Sequence, residues 1–261
     1  MHAGPLVPSR AIAVPAARLV RDIDDPGALA GYPGGLSKAD MDFLPRTWPE
    51  WGLCLGAYLV GAIPFGLLLG FAVKGVDIRG VGSGNIGAAN VGRALGRPFA
   101  LFAFLLDFLK GYGPAWAALV LTDPTRAKSL AVVCGGAAVC GHVWPIYLRF
   151  RGGKGVATGT GALVAIDPIL FVFGGVVWLV TLGLTRFVGF SSMMMGLAFF
   201  VAAWWRSAEG AYGHVVVVGA ALLAALVWIR HRGNMARMLA GTEPRFGSKR
   251  AENAAPRGGG R

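Results

Sequence analysis

Between residues 51 and 73 the chain carries no charged residue. A helix over that stretch is long enough to cross the hydrocarbon core of a bilayer, about 30 Å thick. Inside lipid the backbone must satisfy its own hydrogen bonds, so such a run folds as a helix or not at all. Further apolar segments cover residues 98–121, 129–148, 169–184, 188–205 and 211–229, with a shorter one at 156–166. Apolar residues make up 55% of the 261 residues and charged residues 15%, too little polar surface for a water-soluble chain of this length. The expected fold class is an all-α integral membrane protein with about seven transmembrane helices.

The net charge of +12 admits nucleic acid or anionic lipid as partners. Its placement decides between them. Basic residues cluster in short loops beside the apolar segments and in the tail, a positive-inside pattern, and no nucleic-acid module interrupts the chain. If residues 156–166 count as a crossing, the total is seven. Arg93, Lys154, Arg186 and the basic tail then share one side, while Arg126, Lys128 and Arg206 lie on the other beside Asp123, Asp167 and Glu209. That asymmetry predicts an outside N-terminus and a cytoplasmic C-terminus. Residues 1–50, proline-rich and without apolar period, read as a disordered extension, with Met41 as a candidate physiological start. Residues 51–230 form the membrane domain and 231–261 a basic cytoplasmic tail. Cys54, Cys134 and Cys140 lie in apolar runs without metal-ligand spacing and read as small buried hydrophobes. No metal and no cofactor is expected.

Three polar segments on that shared side can carry chemistry. Residues 77–96 read DIRGVGSGNIGAANVGRALG. Glycine-rich backbone turns successive N–H groups toward an anion, and Arg79, Arg93 and Arg97 add charge. Gly82, Ser83, Gly84, Asn85, Gly87 and Asn90 are the candidate phosphate contacts here. The run imitates a dinucleotide fingerprint, but a membrane span precedes it where that fold requires a strand. The second segment supplies His142, Gly153, Lys154 and Gly155, without the serine or threonine of a P-loop. The third, Arg230-His231-Arg232-Gly233-Asn234, places His231 and Asn234 one helical turn apart. Asp107 and Lys110, three apart in the second apolar segment, are either a self-neutralising pair or part of the site.

In order and spacing, GSGNIGAANVGRALG, DFLKGYGP, GHVWPIYLRFRGGKGVAT and RHRGNMARML resemble the signature segments of the bacterial acyl-phosphate-dependent glycerol-3-phosphate acyltransferases, the PlsY family. The similarity covers everything but the two tails. It implies a seven-helix enzyme of the bacterial inner membrane whose site faces the cytoplasm. Such an enzyme moves a fatty acyl group from acyl phosphate to sn-glycerol 3-phosphate, giving lysophosphatidic acid in the first acylation step of phospholipid biosynthesis. Where the family reads GATN this chain has Gly87-Ala88-Ala89-Asn90, so a hydroxyl is missing at Ala89. Ser83, Arg93, Lys154 and His231 are then the expected catalytic residues, and Asn85 and Asn234 substrate contacts.

The residues agree on what is absent. Thioester-dependent acyltransferases set an aspartate five positions after a histidine, whereas Tyr147, Gly219 and Ala236 follow His142, His214 and His231 at that distance. There is no G-x-S-x-G elbow either. An activated donor asks mainly for positioning and charge stabilisation. The alternative is a transporter of a small phosphate ester, which should show an internal repeat and intramembrane charges on several helices.

Overall fold

The computed structural model describes residues 44–248, and among these every regular element is helical. The expected disorder of residues 1–43, and the candidate start at Met41, lie outside the described residues. The first described helix, α1 (Trp48–Ala62), begins inside the segment expected to be disordered. Thr47 and Glu50 form a capping box that satisfies its first amides, and Glu50 also pairs with Arg126 at 2.6 Å. Those two polar residues look like leader in the sequence but are the start of the membrane unit.

The chain continues as α2 (Phe65–Lys74), α3 (Ala88–Leu95), α4 (Arg97–Leu121), α5 (Ala127–Val143), α6 (Val156–Ile166), α7 (Pro168–Thr185), α8 (Val188–Ala208), α9 (His214–Arg230) and α10 (Arg232–Leu239). Among the described residues, five helical segments are long and apolar enough to cross a membrane, with α1 and α2 acting as one. The bent pair α9 and α10, which meet at 49°, brings the number to six. The count of seven rests on α6, which at 11 residues is too short to span lipid by itself. It is the helix with least need to do so. Thr158, Thr160, Ala162, Leu163 and Ile166 are buried inside the bundle. From Lys154 at one end, α6 leads to Asp167 at the other, where Arg206 meets the carboxylate at 2.9 Å.

Helices approach closely where glycine leaves room. A Cβ added to Gly111 of α4 would lie 1.9 Å from the Thr158 carbonyl oxygen, and one on Gly161 of α6 would lie 2.1 Å from that of Phe108. Gly61 of α1 and Gly141 of α5 form the equivalent pair. Large apolar side chains such as Leu101, Leu105, Leu179 and Leu184 point outward, forming the surface that lipid covers. Cys140 is exposed on this surface, unlike the buried Cys54 and Cys134, which corrects the expectation that all three are internal. An apolar run alone does not tell a lipid-facing cysteine from a core one.

Asp107 and Lys110 are fully internal. Lys110 Nζ lies 2.8 Å from Asp107 and donates to the Ile63 carbonyl at 2.9 Å. That carbonyl sits at the break between α1 and α2, where Pro64 interrupts the helical ladder. The His142 ring approaches the same Asp107 oxygen, Oδ1, with Nδ1 at 3.6 Å. The pair therefore ties three helices together beneath the polar loops.

Candidate functional site

The glycine loop is built around one side chain. Asn90, in the first turn of α3, is 1% exposed, and both ends of its amide are engaged. Its Oδ1 accepts from Ser83 N–H (2.9 Å) and Ser83 Oγ (3.2 Å), while Nδ2 donates to the Ile78 carbonyl (2.8 Å). Gly82 runs at φ 56°, and a Cβ there would meet Asn90 Oδ1 at 2.6 Å. Asn85 closes a smaller turn, its Oδ1 accepting from Gly87 N–H at 2.9 Å. Asn90, expected as a phosphate contact, is thus consumed in shaping the loop. What the loop presents outward is Ser83, with Arg93 Nη1 donating to its Oγ at 3.3 Å.

The second segment is fixed by its neighbours. Gly152 N–H and Gly153 N–H donate to the carbonyls of Val143 and His142, at 3.1 and 3.0 Å. Gly153 rests directly on the buried His142 ring, where an added Cβ would lie 1.9 Å from Nε2. From the other side Arg230 donates to the Gly153 carbonyl at 3.1 Å. Gly155, at φ 81°, turns the chain into α6.

Held this way, Lys154 donates to Asn234 Oδ1. The sequence places His231 and Asn234 at the end of the last span, but α9 stops at Arg230 and Asn234 belongs to the separate helix α10. Asn234 Nδ2 in turn donates to Glu243 (2.6 Å), whose other oxygen accepts from Arg237 Nε (2.7 Å). Glu243 and Arg237 are not visible in the sequence as site residues. Glu243 sits in a polar tail with nothing to distinguish it from a solvated charge, and only the chain reversal at Gly241 brings it inward.

The cluster carries a surplus of positive charge. Burial pulls the Lys154 ammonium down to about 8; Glu243 opposes the shift, and Arg237, Arg93 and Arg230 reinforce it. Burial lowers Arg93 as well. His231 is 3% exposed, and burial, with Lys154 nearby, pushes its pKa down to about 4. Its Nδ1 faces the Val227 carbonyl at 2.7 Å. A carbonyl only accepts, so Nδ1 carries the hydrogen and Nε2 is left as an acceptor. Such a site can bind a small polyanion and accept a hydrogen bond from a neutral hydroxyl beside it.

A family model described as glycerol-3-phosphate acyltransferase matches residues 51–241. The chain belongs to that family. Among similar proteins, a glycerol-3-phosphate acyltransferase of Desulforamulus reducens is 37% identical over 76% of this chain and 96% of its own length. One from Dinoroseobacter shibae is 42% identical over 75% and 92%. The fold is similar to crystal structures of PlsY (YgiH), an integral membrane glycerol 3-phosphate acyltransferase. Its glycerol 3-phosphate form has a TM-score of 0.69 and 39% identity, covering 76% of this chain and 96% of that one. Its lysophosphatidic acid form gives 0.68 and 37%, covering 78% and 98%. The acyltransferase family membership sets the transporter alternative aside. Asp107 and Lys110, the main intramembrane charges, bond to one another and to the helix break.

Proposed function

We propose that this acyltransferase takes its acyl group from acyl phosphate and places it on the 1-hydroxyl of sn-glycerol 3-phosphate, giving lysophosphatidic acid. The observation that carries the reading is the convergence of Ser83–Arg93, Lys154–Asn234 and His231 on one cationic cluster, with no nucleophile–base pair among the described residues. The glycerol 3-phosphate and lysophosphatidic acid forms of the structural relative support the acceptor and the product.

In this mechanism Lys154, Arg93 and the Ser83 loop hold the phosphate groups, with Asn85 and the glycine backbone shaping the loop. Asn234 and His231 orient glycerol 3-phosphate, the Nε2 of His231 accepting from a hydroxyl. The 1-hydroxyl oxygen attacks the acyl carbon, the bond from that carbon to the phosphate oxygen breaks, and inorganic phosphate leaves. A histidine titrating near 4 is a poor base at neutral pH, whereas phosphate titrates near pH 6 to 7, so the hydroxyl proton goes to the departing phosphate. Developing negative charge is met by fixed cations in a partly dehydrated site.

The reading also takes α6 as the seventh crossing, with the polar loops and tail on the cytoplasmic face of a bacterial inner membrane and the N-terminus outside. A donor test decides the chemistry. Purified protein receives radiolabelled glycerol 3-phosphate with either palmitoyl phosphate or palmitoyl-CoA. Lysophosphatidate from the acyl phosphate alone is the expected result, and product from the thioester alone would refute the donor.

A further inference from the structure

Beneath the site a second polar cluster is sealed inside the bundle. In the membrane-spanning helix α4 the side chains of Lys110 and Asp107 are 1% and 3% exposed, with Lys110 Nζ 2.8 Å from Asp107 Oδ1. Nδ1 of the buried His142 approaches that same oxygen at 3.6 Å. Ionised groups at such depth are costly, and a buried pair can often be replaced by apolar side chains of similar volume without loss of stability. Stability alone therefore does not account for these charges. What they supply, and leucine or methionine would not, is directed contact with two separate supports.

One support carries the glycine loop. Lys110 Nζ donates to the Ile63 carbonyl at 2.9 Å, at the break before α2, and lies 5.8 Å from the centroid of the Phe65 ring in the first turn of that helix. Two glycines of α2 in turn press on the loop. A Cβ on Gly66 would lie 1.9 Å from the Ile86 carbonyl oxygen, and one on Gly70 would lie 2.6 Å from the Ile78 side chain. Ile78 and Ile86 are buried on either side of Ser83, and the Ile78 carbonyl is the one that Asn90 holds. The other support carries Lys154. Asp107 lies against the His142 ring, Gly153 rests on that ring, and the Gly152 and Gly153 amides bond to the carbonyls of Val143 and His142 at the end of α5. Lys154 is the next residue.

We infer that Asp107 and Lys110 are positioning residues for acyl transfer: as one buried ion pair they fix the Ser83–Arg93 loop and Lys154 relative to each other, Lys110 through α2 and Asp107 through His142. This rests on the roles proposed above for Ser83, Arg93 and Lys154. Neither residue of the pair touches substrate. Both relays are stiff, because at Gly66 and Gly153 the backbone itself bears on its neighbour with no side chain between to yield. A shift in the pair therefore moves the loops bodily, and misplacing reacting groups by about 1 Å can cost about 10²-fold in rate.

The test removes both charges together, so that neither is left unpaired. Full-length wild type and Asp107→Leu/Lys110→Met are compared in phosphatidylcholine nanodiscs, each with and without Lys154→Ala. Thermal melting and lysophosphatidate formation are measured, with whichever of palmitoyl phosphate and palmitoyl-CoA wild type uses, so the outcome is separate from the identity of the donor. The paired variant should melt within about 5 °C of wild type, with kcat/KM lower by about tenfold or more. The cycle with Lys154 separates positioning from a structural role. Lys154→Ala should cost about 10²–10³ in wild type, and at least about tenfold less in the paired variant, where the ammonium is already displaced. Equal Lys154→Ala losses in the two backgrounds overturn the inference, as does a paired variant with wild-type kcat/KM. If Asp107→Leu/Lys110→Met does not accumulate, Asp107→Asn/Lys110→Met, which keeps the shape of the aspartate without its charge, carries the same cycle. Failure of both to fold makes the pair structural and overturns the inference. Wild-type activity in Lys154→Ala alone would refute the proposed site itself, and the inference with it.

Discussion

Lys154 donates to Asn234 across 80 residues of sequence, joining the loop before α6 to the helix after α9. One bond thus couples two of the three polar segments, and Glu243 extends the link to the C-terminal tail. Removing the ammonium strips the site of its central cation. Lys154→Ala should lower kcat/KM by about 10²–10³, the scale of losing one preorganised electrostatic contact. Lysophosphatidate formation at matched protein levels checks this, with thermal melting in detergent to confirm folding.

The pKa of Lys154, near 8, makes a pH prediction. Below that value the ammonium is present; above it the site loses a positive charge. The pH profile of kcat/KM for glycerol 3-phosphate should fall with a slope of one above about pH 8, since this ratio reports free-enzyme groups. Stability runs the other way. Between about 8 and the ordinary lysine value near 10.4, the unfolded chain binds the extra proton, so this group's contribution to stability rises with pH. Lys154→Arg should remove the alkaline limb from the activity profile.

Asn90 should behave as a scaffold residue. Asn90→Ala leaves the Ser83 amide and the Ile78 carbonyl without their partners, at a cost of about 1–3 kcal/mol for each buried group. The expected result is a lower melting temperature together with lost activity. A residue that only touched substrate would change KM and leave melting alone.

Gly153 and His142 should be coupled. Gly153→Ala drives a methyl group into the His142 ring and displaces Lys154, so activity should fall by at least about tenfold. In the double variant Gly153→Ala/His142→Ala the ring is gone. A double-mutant cycle should therefore show a combined loss smaller than the product of the two single losses.

The spans and the three polar segments that bring Ser83, Lys154, His231 and Asn234 near one another are legible because each depends on local pattern: apolar runs, glycine runs and short motifs. What was not legible depends on contacts between distant segments. Lys110 reads as half of an i,i+3 pair, yet its second bond goes to Ile63 at a helix break in another span. Asn90 has the composition of a phosphate ligand but points inward, because Ile78 and Ser83 close around it. Ala89, where the resemblance expects a hydroxyl, is exposed in the first turn of α3. Restoring that group by Ala89→Thr should lower KM for a phosphate substrate by about two- to tenfold, the value of one added hydrogen bond.

The central claim is that one site holds both phosphate substrates together and transfers the acyl group directly. Initial velocities measured while varying acyl phosphate at several fixed concentrations of glycerol 3-phosphate test it most directly. The account predicts intersecting double-reciprocal lines and no acylated Ser83 peptide during turnover. Parallel lines with an acylated Ser83 peptide recovered would contradict it.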